Sequence, residues 1–363
     1  MALKTAIPAT STASGFLWYD FSRLLRFLKF AVCVLFLVGL AYVCYRRPVP
    51  DDFDRYIYEA IVRGKSQPLE VVYDTVKHEN PRAEESSVLD SPQHLRELEP
   101  LYAIRPLYLE TISLLGTRLP IQNAIDLISA ASLFGIGVVV VCWTRKPILS
   151  VLLIAAYPVL ILGRLGTPDA LSTLLVITGL WLIEREHSHL LGVSILFVSL
   201  GVRTDNVLLV LGVLGWLAWN KKIKVYLAGL LAILAAAAVL GINHWAGSYG
   251  WIVLFRFSFT GGRYPAQLPH QLTVREYSAA LLRGTSMIFA HVSIWILLGI
   301  LATLRRSTWL LFVTAIAVAA HFLLYPSPED RYLVWAYIVT GVALIRSFEV
   351  AARPLMNTDV IES

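Results

Sequence analysis

FAVCVLFLVGLAYV, residues 30–43, carries no charged or amide side chain. With its flanks it forms an apolar run over 27–45, close to the about 20 residues that a helix needs to cross a bilayer. LAGLLAILAAAAVLGI, residues 227–242, repeats the pattern. In a chain of 363 residues that is 57% hydrophobic and 15% charged, with mean hydropathy +0.65, such runs predict an all-α polytopic membrane protein.

Working outward, further apolar runs lie at 121–143, 147–163, 168–184, 189–202, 205–220, 225–243, 280–304, 308–325 and 332–347. About ten crossings are therefore expected over a transmembrane domain at 27–347. The first run is of spanning length and lacks a small-residue cleavage site, so it reads as a retained helix after a cytoplasmic segment 1–26. A cytoplasmic tail is expected at 348–363. Lys and Arg concentrate at 144–146, Arg185, 220–224 and 305–306, which places those loops and both termini inside. The formal charge of +6 reflects these cytoplasmic residues, and no nucleic-acid partner is expected. Cys33, Cys44 and Cys142 lie in or beside apolar runs without a CxxC pair, which argues against a disulfide framework or a zinc site.

Two longer segments, 46–120 and 244–279, fall on the outer side and mix amphipathic stretches with turns. The first opens with PVPDDFDRYIYEA, residues 48–60. Phe53, Ile57, Ala60 and Ile61 form one helical stripe, with Asp52, Tyr56, Glu59 and Arg63 opposite, as in a helix lying on the membrane. The plain account of the acids is capping, with Asp51 as N-cap and Asp54 as its partner at N3, and it leaves Asp52 unexplained.

Polar groups recur at the outer helix ends in GRLGTPDALS (163–172), VRTDNVLL (202–209) and PSPEDRYL (326–333). Capping by Thr167 or Ser327, with Asp169, Asp205, Glu329 and Asp330 near helix starts, explains part of this. Arg164 and Arg203 close outward-going helices, where a cation is favoured. Arg331 follows a helix start, where it is not, and calls for a bound anion or a carboxylate partner. Arg256 and Arg263, in FRFSFTGGRYP (255–265), fit interface anchors or the same vestibule.

Carboxylates beside arginines on one aqueous face suggest two jobs: a general base for an acceptor hydroxyl, and a clamp for a departing phosphate. Arg331 with Arg203 and Arg256 or Arg263 is the expected clamp. A membrane glycosyltransferase with a polyprenyl-phosphate sugar donor needs both. Asp51–Asp52 after the first crossing, LYAIRPLYLETISLLG (101–116) before the second, RTDN and EDRY together resemble the multispanning GT-C glycosyltransferases, the superfamily of protein O-mannosyltransferases and aminoarabinose transferases. The resemblance implies a GT-C-like bundle and inverting transfer to a glycan, lipid or protein hydroxyl at the outer face. It also implies an aspartate base, Asp51, with Asp52 as partner or substitute. Tyr56 and Arg105 are further candidates. The chain departs from larger members in having about ten crossings and no soluble C-terminal domain. A bacterial inner membrane is the expected location.

The oxygens of Asp51, Asp52 and Asp54 are of the type a divalent cation takes, but acids at one helix start are common and no metal is assigned. His244, His291 and His321 read as packed residues. A transporter or channel is the alternative from another class, and a glycan polymerase or ligase using lipid diphosphates is the alternative enzyme.

Overall fold

The computed structural model describes residues 13–50, 52–79, 90–185, 189–261, 264–291, 299, 308–327 and 329–351; side chains are described at all of these except 13–26, 287–291, 330 and 348–351. Among the described residues the protein is all-helical, with no strand. In chain order the helices are α1 (Ala13–Arg46), α2 (Phe53–Gly64), α3 (Leu69–Glu79), α4 (Pro92–Tyr102), α5 (Pro106–Gly116), α6 (Ile121–Thr144), α7 (Pro147–Ala155) and α8 (Tyr157–Leu160). They continue as α9 (Asp169–Glu184), α10 (His189–Leu200), α11 (Val207–Trp219), α12 (Val225–Trp245), α13 (Trp251–Phe259), α14 (Val274–His291), α15 (Trp309–Leu324) and α16 (Val334–Ala351).

Among the described residues, three segments are long and apolar enough to cross a bilayer: Phe27–Arg46, Ile121–Thr144 and Val225–Trp245. Shorter apolar helices follow the expected runs at 189–202, 205–220 and 308–325. The run at 147–163 is not one helix. Pro158 has no N–H for the carbonyl four residues back and its ring crowds that carbonyl, so α7 stops, Ala156 is extended, and α8 restarts with Pro158 in its first turn. The run at 280–304 falls partly outside the described residues.

The core forms around Leu133 of α6 and Ile177 of α9, with Leu37 of α1, Leu196 of α10, Val213 of α11, Val313 of α15 and Ile338 of α16 packed on them. Close approach of α9 and α10 depends on two glycines: a Cβ on Gly192 would lie 2.6 Å from the Gly179 carbonyl oxygen, and one on Gly179 would lie 2.9 Å from that of Gly192. In membrane helices such small residues let dispersion act over the whole contact. By contrast, α12 exposes Val225, Ile233 and Leu240 along most of its length, as a lipid-facing helix does.

In the segment 46–120, α2 is packed into the protein. Helix α2 packs against α3, α4, α5 and α6. Ile57 and Ala60 of the apolar stripe are buried, and so are Tyr56, Tyr58 and Glu59. Phe53, at the start of the stripe, is exposed. An amphipathic pattern thus encodes a helix buried on both sides, because the polar face has its own partners: Glu59 accepts from Arg63 Nη2 at 2.7 Å and from Gln122 Nε2 at 3.2 Å.

Candidate functional site

The connection between α8 and α9 is held from three directions. Leu165 O accepts from Ser129 Oγ at 2.6 Å, Gly166 O accepts from the Tyr108 hydroxyl at 3.0 Å, and Gly166 N–H donates to Asp52 Oδ2 at 2.5 Å. Asp52 occupies the N-cap position of α2, yet its side chain makes no capping bond there. Capping therefore does not account for this acid; its carboxylate serves a loop far along the chain. Asp51, the expected N-cap and first candidate base, lies outside the described residues.

Asp54 sits one helical step further on. It accepts from Arg331 Nη1 at 2.6 Å and from the Tyr102 hydroxyl at 2.6 Å. Arg331 also donates through Nε to Glu329 at 2.5 Å, so Asp54 and Glu329 together supply the counter-charge its position required. A second knot adjoins the first: Arg203 donates through Nη1 to Asp169 at 2.5 Å and through Nε and Nη2 to Asp205 at 3.0 and 2.5 Å. Asp169 also accepts from Thr167 Oγ1 at 2.7 Å, so Thr167 serves the carboxylate rather than the helix end. The Tyr332 ring joins the knots, with the Arg203 and Arg331 guanidinium carbons 4.9 and 5.0 Å from its centroid.

This surrounding separates two neighbouring acids. Burial pushes the Asp52 carboxyl up to about 6 and the charge of Asp54 adds to the rise, against the Gly166 N–H and Arg331. Burial would raise Asp54 as well, but the Arg331 charge, the Tyr102 hydroxyl and the Arg105 charge outweigh it and hold that carboxyl below its ordinary value. Asp52 is thus poised near neutrality and Asp54 is ionised, the pattern that divides acid–base labour.

Beside the knots opens a cavity of about 550 Å³. Its lining combines apolar Val207, Leu208, Val239, Leu240 and Leu254 with polar Arg105, Arg203, Asp205, His321 and Tyr332. Arg105 precedes Pro106, which starts α5, and a residue before proline is pushed out of the helical region. Its guanidinium stacks 5.3 Å from the Tyr102 centroid and 5.6 Å from that of Tyr58. Among the described residues it makes no side-chain hydrogen bond or ion pair, so its donors are open to the cavity. His321 places Nδ1 3.3 Å from Asp205 Oδ2, while Nε2 is buried without a partner among the described residues.

The fold therefore brings together Asp52, Asp54, Arg105, Asp169, Arg203, Asp205, Glu329 and Arg331. Other candidates are engaged elsewhere. Arg164 donates from Nε to Arg47 O at 2.7 Å and secures the chain after α1, Tyr56 donates to Pro50 O at 3.3 Å, and Arg256 pairs with Glu276. Arg263 and the Asp330 side chain lie outside the described residues. Among the described residues no three histidines, thiols or carboxylates converge as metal ligands. Asp52 and Asp54 are turned to Gly166 and Arg331. Comparison with family models, curated proteins and solved structures finds no match for the chain.

Proposed function

We propose that the chain is a GT-C-like membrane glycosyltransferase of about ten crossings, moving a sugar from a polyprenyl-phosphate donor to the hydroxyl of a glycan, lipid or protein acceptor at the outer face. The observation that carries this reading is the open guanidinium of Arg105 on a cavity whose lining is largely apolar and also holds charged groups. A half-buried arginine without hydrogen-bond acceptors is left poorly compensated, and an anion entering the cavity supplies the missing partner. An isoprenoid phosphate has the matching halves. Arg203 and Arg331 remain in the clamp as charges held rigid by their carboxylates, close to where negative charge collects as the sugar leaves.

Asp52 has the protonation behaviour of a base for a sugar hydroxyl, with Asp51 as its companion. The acceptor oxygen attacks the anomeric carbon and its proton passes to the carboxylate. The bond from the anomeric carbon to the phosphate oxygen breaks, polyprenyl phosphate departs, and the configuration inverts.

The test uses the full chain in detergent, titrated with polyprenyl phosphate, the part common to all such donors. Arg105→Ala should bind at least 10-fold more weakly, and a panel of polyprenyl-phosphate hexoses should release polyprenyl phosphate only in the presence of an acceptor. Equal binding by the wild type and Arg105→Ala would remove the basis of the reading.

A further inference from the structure

The end of the bundle away from the carboxylates holds a second polar cavity, of about 260 Å³, lined by Trp143, Arg145, Trp181, Glu184, Arg185 and Arg346. The helices that build it, α6, α9 and α16, all begin near the site described above and run away from it. Asp169 opens the 16-residue α9 and Glu184 closes it, a rise of about 22 Å between them.

One wall is fixed. Glu184 Oε2 accepts from Trp143 Nε1 and from Arg346 Nη1, both at 2.5 Å. The Arg185 guanidinium lies 4.7 Å from the Trp181 centroid. Arg145 caps α6 in the left-handed region, at φ 57°, which ends the helix. Arg145 and Arg185 are exposed and make no ion pair among the described residues. Three arginines therefore face one glutamate in this lining, an excess of two positive charges (3 − 1 = 2).

Arginines at helix C-termini are explained in part by the macrodipole and by the basic inner surface of membrane proteins. That account gives no reason for a concave site walled by two indoles and a locked guanidinium, with two more guanidiniums left open. Basic pockets between membrane helices, with tryptophans at headgroup depth, are suited to anionic head groups. We propose that this cavity binds a phosphate ester, with Arg145 and Arg185 as its charge contacts, Arg346 as a fixed donor and the tryptophans packing beside the glycerol or chain. The phosphate comes either from an anionic phospholipid of the adjacent leaflet or from a free small molecule. Because the cavity is remote from Arg105, the transferase reading can fail without affecting this one.

The full chain is reconstituted in phosphatidylcholine nanodiscs. One arm adds phosphatidylglycerol and reads the lipid retained by native mass spectrometry; the other adds inorganic phosphate to phosphatidylcholine discs and reads the melting temperature. Arg145→Gln with Arg185→Gln should lower phosphatidylglycerol retention about 10-fold or more with phosphatidylcholine unchanged, or abolish the phosphate-induced rise in melting temperature. Lipid selectivity without a phosphate response assigns the head group as the source. A phosphate response without lipid selectivity assigns the free ester. If the double variant fails to fold, Glu184→Gln, which keeps an acceptor for Trp143 and removes the one negative charge, should tighten retention or the phosphate response several-fold. Wild-type behaviour of the double variant in both arms, or of Glu184→Gln where that variant is needed, overturns the proposal.

Discussion

The Asp52 carboxylate and the Gly166 backbone N–H, 114 positions apart, meet at 2.5 Å in a buried contact. The contact ties the segment after α1 to the turn before α9. It also places a carboxyl where ionisation is opposed by burial and by Asp54, and only partly restored by the N–H and Arg331.

Asp52→Asn should separate chemistry from folding. In the folded chain the Asp52 carboxyl stands at about 6 against an ordinary 3.8, so the folded state holds the proton more tightly than the unfolded one. Stability is then full below the lower value, declines as pH rises between the two, and stays reduced above the higher. Asparagine keeps an acceptor for Gly166 and removes the buried charge. At pH ~7.5 the variant should melt no lower than wild type and by several degrees higher, with the gap closing near pH ~4. Its turnover should fall by about 100-fold, and wild-type turnover should rise through pH ~6. A lower melting temperature at neutral pH would contradict the charge-burial account, and unchanged turnover would remove Asp52 from the reaction.

Arg331 and Asp54 should couple strongly. Each side chain is 21% exposed, so removing one leaves a mostly buried charge behind. A double-mutant cycle with Arg331→Ala and Asp54→Ala should give a coupling of about 2–4 kcal/mol, well above the 0–1 of an open surface pair. Arg331→Ala should also reduce turnover at least 10-fold, with poor rescue by lysine. Additive single effects in the melts would show that the pair is solvated.

Glycines at the α9–α10 crossing should be intolerant. Gly192→Ala directs a methyl at the Gly179 carbonyl oxygen, 2.6 Å away, and should cost about 1–3 kcal/mol. Gly229→Ala on α12 meets nothing within 4 Å and should be neutral or slightly stabilising. Equal melting temperatures for the two variants would dissolve the distinction between packed and lipid-facing helices.

Sidedness is open to cysteine labelling in a background without Cys33, Cys44 and Cys142. Asp90→Cys and Gln267→Cys, both exposed, should react with an impermeant maleimide from outside. Lys146→Cys and Lys222→Cys should react only after permeabilisation. Outside labelling of either lysine position would reverse the expected orientation.

The sequence by itself was enough for the helical class and for several elements, since the apolar runs at 121–143 and 225–243 became α6 and α12 almost residue for residue. A helix closes its own backbone hydrogen bonds, so length and hydropathy of a run suffice to mark it. The candidate polar residues were also legible as types at helix ends, and the need of Arg331 for a counter-charge followed from its place after a helix start. What only the tertiary structure decided is who answers whom. Besides its near neighbour Glu329, Arg331 finds Asp54 277 positions away, and the Asp52 partner is a backbone N–H; neither of these two leaves a periodic trace. Arg105 differs from Arg203 in the same way. Both are arginines at helix boundaries, but Asp169 and Asp205 fold against Arg203, whereas Tyr58 and Tyr102 offer Arg105 only ring faces. Which guanidinium remains open is set by the packing of distant segments, and a local pattern has no term for it.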